Sequence, residues 1–111
     1  MDESAATVYS DHQILDARSL AMHCKIVQKI ERDPALINMA RDNLDRWIKN
    51  SGSPVPGYLL EWKEILSRPW PQVAKLMTAM NEESTRLRSS SPFAGVLTTE
   101  EREQIYAAFT P

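Results

Sequence analysis

The sequence predicts an all-α fold, a compact single-domain bundle of about five helices. Three observations carry this reading. Apolar residues recur at three- and four-residue steps along most of the chain. No run of four to eight residues alternates apolar with polar around β-branched side chains, and three glycines supply little hairpin chemistry. With 42% apolar and 25% charged residues over 111 positions, the chain has the composition to bury one core, which sets wholesale disorder aside. Residues 1–10 read as a tail with only Val8 and Tyr9 as anchors, and residues 11–111 as the helical domain.

The first helix is expected from Asp11 or Asp16 to Arg32, with Ser10, Asp11 and Asp16 as alternative N-caps. Leu20, Cys24, Val27 and Ile30 form its apolar stripe, widened by Met22 and Ile26. The second starts with Asp33 as cap and Pro34 at the first helical position, where a missing N–H costs nothing. Leu36, Ile37, Ala40, Leu44, Trp47 and Ile48 share its inner face. On the outer face Asp42–Arg46 and Asp45–Lys49 stand four residues apart, as helical ion pairs do. Asn50-Ser51-Gly52-Ser53 and the prolines at 54 and 56 end it.

A third, short helix is expected over Gly57–Ser67, with Tyr58, Trp62, Ile65 and Leu66 inward and Leu59 beside them. Arg68-Pro69-Trp70-Pro71 stops it, because each proline pushes the preceding residue out of helical geometry. The fourth is read as one helix from Pro71 to Arg88, on the repeat Val73, Leu76, Met77, Met80, Ser84, Leu87. Ser89–Ser91 and Pro92 end it, and Phe93–Leu97 is a short apolar connection. Thr98 and Glu101 then have capping-box spacing, opening a last helix with Ile105, Tyr106 and Phe109 inward.

Charge and composition exclude several functions. Thirteen basic against fifteen acidic residues, with a pI near 5.7, argue against a free-standing basic nucleic-acid binder. No apolar stretch approaches the ~20 residues of a membrane span, and no secretory leader opens the chain. The lone Cys24 forbids an internal disulfide and a CxxC zinc site, so a reducing cytoplasm is the expected location. His23 and Cys24 are neighbours that point about 100° apart on a helix, which makes them poor partners for a metal or a nucleophile–base pair. Gly52, Gly57 and Gly95 are too scattered for a phosphate loop. Glu82-Glu83 and Glu100-Glu101 read as solvated helix ends. No catalytic residue, metal ligand or cofactor site is assigned, and an enzyme is not expected.

Binding residues are easier to nominate. Residues 18–49 hold seven basic and four acidic side chains, and Arg18, Lys25, Lys29 and Arg41 form a candidate basic patch for phosphates. The interleaved acids suggest an ordinary salt-bridged surface instead. Trp70, between two prolines at a chain reversal, either covers the core edge or stands out as an anchor. The segment Arg86–Arg102 also has two readings. In one, Phe93 and Val96 plug the bundle, Gly95 supplies a special backbone angle, and Arg86 or Arg88 bonds helix-end carbonyls. In the other, Arg86, Arg88 and Phe93, with Trp70, meet a protein partner. A small-molecule pocket near Trp62, Trp70 and His23 is a further alternative. Met77 and Met80 either pack inside or form an adaptable face for a homodimer.

Asp16-Ala-Arg-Ser-Leu-Ala-Met-His23, Ala40-Arg-Asp-Asn-Leu-Asp-Arg-Trp47 and Arg88-Ser-Ser-Ser-Pro-Phe-Ala-Gly-Val-Leu97 together resemble a family of small bacterial all-helical proteins. That family is similar to antitoxins of toxin–antitoxin pairs, and the likeness spans nearly all of the chain after Ser10. It implies a non-catalytic module that binds and neutralises a protein partner, a toxin encoded beside it. Similar segments accompany DNA-binding domains in longer chains. Such a domain is not evident in this sequence, which weakens a transcriptional role.

Overall fold

The computed structural model describes residues 10–109, and these residues form six α-helices with no strand among them. They are α1 (Asp11–Arg32), α2 (Ile37–Asn50), α3 (Gly57–Ile65), α4 (Trp70–Thr78), α5 (Glu82–Arg88) and α6 (Thr99–Ala108). A 3-10 turn over Pro34–Leu36 leads into α2. Helix α1 is the strut of the bundle: α4, α5 and α6 all pack against it, while α2 packs on α3 and α4 on α5. Of the tail expected over 1–10, Ser10 is the N-cap of α1 and the other nine residues, with Val8 and Tyr9, lie outside the described part.

Ser10 closes a capping box with Gln13: its hydroxyl accepts from the Gln13 amide at 3.1 Å, and the Gln13 side chain accepts from the Ser10 amide at 2.9 Å. Thr98 and Glu101 do the same for α6, as their spacing predicts. Asp33 makes no side-chain cap. The chain instead tightens into the 3-10 turn, with Pro34 supplying its fixed φ, before α2 starts at Ile37. Arg46 donates to Asn43 at 2.8 Å rather than to Asp42. Neither expected pair on α2 is among the ion pairs of the described residues.

The main correction concerns the fourth helix. Residues 71–88 do not form one rod: α4 ends at Thr78 and α5 begins at Glu82. Ala79 and Asn81 are extended, with ψ of 148° and 168°. Asn81 caps α5 through Oδ1, which accepts from the Ser84 amide at 2.8 Å, and Glu82 and Glu83 favour the positive end of the new helix. The break turns Met80 outward, 87% exposed, while Val73, Met77, Ser84 and Leu87 stay buried.

Ile26, Ile30, Ala40, Leu44, Leu59, Trp62, Ile65, Val73, Met77, Leu87 and Phe93 make the core. Two stripes differ from their expected registers. On α1 the buried line is His23, Ile26 and Ile30, and Cys24 is a half-buried free thiol rather than a core residue. On α3 Leu59, Trp62 and Ile65 face in and Tyr58 is half exposed. Tyr106, expected inside, is also more than a third exposed, whereas Ile105 packs against the core.

Candidate functional site

The segment from Arg86 to Arg102 closes one end of the bundle. Phe93 is 2% exposed and meets Trp62 edge-on at a ring separation of 5.8 Å and His23 at 6.5 Å. Val96 and Leu97 are buried beside it. Gly95 turns the chain with φ of +91°, and a Cβ there would stand 3.2 Å from the Met39 Cε. Backbone carbonyls of this loop are held from two helices. Asn43 Nδ2 donates to the carbonyls of Pro92 and Ala94 at 2.9 and 2.8 Å, and Lys29 Nζ to that of Val96 at 2.7 Å. Phe93 is therefore a plug, buried within its own chain, which is the packing alternative for this residue.

Arg88 is 6% exposed. Its Nη1 donates to the Met77 and Ala79 carbonyls at 3.1 and 2.8 Å, and its Nη2 to the Thr85 hydroxyl at 3.3 Å. The guanidinium thus lies on the negative end of α4 and satisfies carbonyls that the helix break leaves open. Burial lowers its pKa, while Cys24 and Asp16 act the other way. Arg88 is thus largely spent within its own chain, while the residue also lines the hollow beside Trp47 and Tyr58. Arg86 does face outward, in a forked pair with both Glu61 carboxylate oxygens at 2.8 and 3.0 Å. Trp70 heads α4 between Pro69 and Pro71 and packs half-buried against the core.

His23 is buried by a local device. Its Nδ1 lies 2.7 Å from the Ser19 carbonyl one turn back, and burial is the main cause that lowers its pKa, against the Ser19 bond and with help from Arg88. The ring is thus held neutral, donating to its own helix rather than to a neighbouring one. Trp62 spends its indole N–H on the Leu87 carbonyl at 3.2 Å. The hollow that His23 lines, about 210 Å³, is walled by Met22, Phe93 and Leu97, with neither tryptophan in it. The three residues nominated for a small-molecule pocket do not share this hollow. Among the described residues, no three His, Cys, Asp or Glu side chains gather as a metal would require.

The basic candidates divide. Lys29 donates to Glu101 at 2.6 Å, and Lys25 stands 3.9 Å from the same carboxylate. Lys29, with the Thr98 amide, holds the Glu101 carboxyl down at about 2. The Arg18 guanidinium lies 4.1 Å above the Tyr106 ring. These three residues tie α1 to α6. Arg41 lines a separate groove between α2 and α3 with Lys63 and Arg68. One continuous phosphate-facing patch is not formed by the four.

Two larger hollows lie outside the core. One, of about 680 Å³, runs between Trp47 and Tyr58 on one side and Ser89, Ser90 and Ser91 on the other. Tyr58 is 50% exposed there. The second, of about 780 Å³, lies between the first turns of α1 and the α4–α5 break, with Met80 on its rim. Periodicity places Tyr58 inward and leaves Met80 open between the interior and an exposed face; the structure exposes both. The better signals were the stripe Leu59-Trp62-Leu66, which leaves Tyr58 at its edge, and Asn81-Glu-Glu-Ser84, a helix start inside an apparent helix. No helix among the described residues is long and apolar enough to cross a membrane. No family model, curated protein or solved structure matches this chain.

Proposed function

We propose that the chain is a non-catalytic protein-interaction module of antitoxin-like character, which binds and neutralises a protein partner encoded beside it in the cytoplasm. The observation that carries this reading is the groove between Trp47, Tyr58 and the Ser89–Ser91 turn. Tryptophan and tyrosine supply large, stiff contact area and are the residue types most often dominant in interfaces. The serine hydroxyls and turn offer polar contacts that fix register beside them. The rigid wall matters too, since the turn follows directly on Arg88, which is anchored to α4. The basic side chains that a nucleic-acid reading would use are largely spent on α6, which weighs toward a protein partner.

Co-expression with the product of the adjacent gene tests this. The expected result is a stoichiometric complex and relief of the growth inhibition that the neighbour causes alone. Tyr58→Ala should weaken the complex about tenfold or more, as truncation of an aromatic anchor does. A neighbour that does not inhibit growth, or no complex between the two, contradicts the proposal.

A further inference from the structure

We infer that the hollow between α1 and the Phe93–Leu97 loop is a binding site for a small hydroxylated aromatic acid, a single ring with a phenol at one end and a carboxylate at the other. The proposal stands apart from the partner reading, because this hollow meets the proposed partner groove only at Ser91.

The inner end of the hollow holds a polar atom with nothing to bond. His23 is 5% exposed. Its Nδ1 lies 2.7 Å from the Ser19 carbonyl, which can only accept, so Nδ1 carries the proton of the neutral ring. Nε2 is then a bare acceptor, and it is buried without a hydrogen-bond partner. Arg88 acts on the ring through its charge, but its own bonds go to Met77, Ala79 and Thr85. The two nitrogens lie on different edges of the imidazole, so Nε2 faces away from Ser19. Ser19 has no part in the wall of the hollow, whereas Ile26, one turn further along α1, does. A buried acceptor left open is costly, and a hydroxyl entering the hollow removes that cost.

The walls fit a ring. Met22, Ile26, Phe93 and Leu97 are apolar, and the methionine adapts to an aromatic neighbour. The hollow measures about 210 Å³. An apolar cavity of about 150 Å³ is enough for benzene, which leaves room here for two small substituents. The outer end is set by Arg102, the one charged residue in the wall and an exposed one. It is in none of the ion pairs of the described residues, and its hydrogen bond is a long one, 3.5 Å to the Tyr106 hydroxyl. A cation without a carboxylate at the mouth of an apolar hollow selects an anionic substituent. A plain phenol answers His23 alone and a plain aromatic acid answers Arg102 alone; the hydroxylated acid answers both.

NMR titration of the full chain with para-hydroxybenzoate, benzoate and phenol tests this. The ligand-free chain should show the His23 proton on Nδ1 and none on Nε2. Para-hydroxybenzoate should then shift the His23 Nε2 resonance and the Gly95 and Leu97 amides saturably. Benzoate, which lacks the donor, should bind about tenfold more weakly, the worth of one buried hydrogen bond. Arg102→Gln changes an exposed side chain and leaves the core intact. It should weaken para-hydroxybenzoate several-fold and leave phenol unchanged, a split that a merely structural role would not produce. A proton on Nε2 in the ligand-free chain overturns the proposal. So does the absence of saturable shifts at about 10 mM para-hydroxybenzoate, equal affinity for benzoate, or shifts confined to Trp47 and Tyr58. None of these readouts involves the adjacent gene's product, so the two proposals stand or fall separately.

Discussion

At the scale of single residues, two buried polar side chains define the chain's chemistry. Arg88 brings a cation into the core with no carboxylate in contact, and its compensation comes from carbonyls at the end of α4. Arg88→Met keeps the stem but strands those carbonyls, and should cost about 2–3 kcal/mol in urea unfolding. Arg88→Lys should recover only part of this, because one ammonium cannot reproduce a fork spanning two carbonyls and a hydroxyl. His23 is packed neutral, with a pKa below its usual 6.5. The unfolded chain therefore takes up a proton that the folded chain resists. The stability this gives is present above the ordinary histidine range and is lost as pH falls below it. The melting temperature should drop between about pH 7.5 and about pH 5.5, and His23→Leu should remove most of that drop. An unchanged slope in that variant would place the titration elsewhere.

At the scale of elements, the prolines, caps and apolar stripes made most of the bundle legible. The Thr98–Glu101 box, Ser10 as one of three offered caps and the stop after Asn50 follow from local chemistry, and the structure has them, while α3 ends at Ile65, short of the expected Ser67. The α4–α5 break was hidden because Val73, Met77, Ser84 and Leu87 keep helical spacing across it. Only the cap signal of Asn81, and a clamp from a residue seven positions later, distinguish two helices from one. Asn81→Ala should cost about 1 kcal/mol by thermal unfolding. Of the candidate site, the packing alternative for Arg88, Phe93, Val96 and Gly95 was legible. The exposed Tyr58 was not, since neighbouring stripes on a nine-residue helix compete and only tertiary packing selects one. The α1–α6 joint has its own acid limit. Glu101, held at about 2 by Lys29 and the Thr98 amide, contributes stability above the ordinary carboxylate range that disappears as pH falls from 4.5 toward 2. A Lys29→Ala/Glu101→Ala cycle should show a coupling of about 1 kcal/mol at neutral pH that vanishes in acid.

At the scale of the whole molecule, the residues that hold the bundle shut and those of the proposed binding groove overlap only in part. Phe93 belongs to the first; the proposed binding groove is lined by the exposed Tyr58 and the serine turn, with Trp47 and Arg88 serving both as packing and as groove wall. Phe93→Ala should destabilise the fold by about 3–5 kcal/mol, as loss of a buried aromatic does, and would weaken partner binding only through unfolding. Tyr58→Ala should leave the melting temperature nearly unchanged. The most direct measurement is therefore affinity for the adjacent gene's product, by calorimetric titration, for the natural chain, Tyr58→Ala and Phe93→Ala at a temperature where all three are folded. Tyr58→Ala should lose about tenfold or more, and folded Phe93→Ala should keep near-natural affinity. Full affinity in Tyr58→Ala, or a loss confined to Phe93→Ala, would contradict the partner reading.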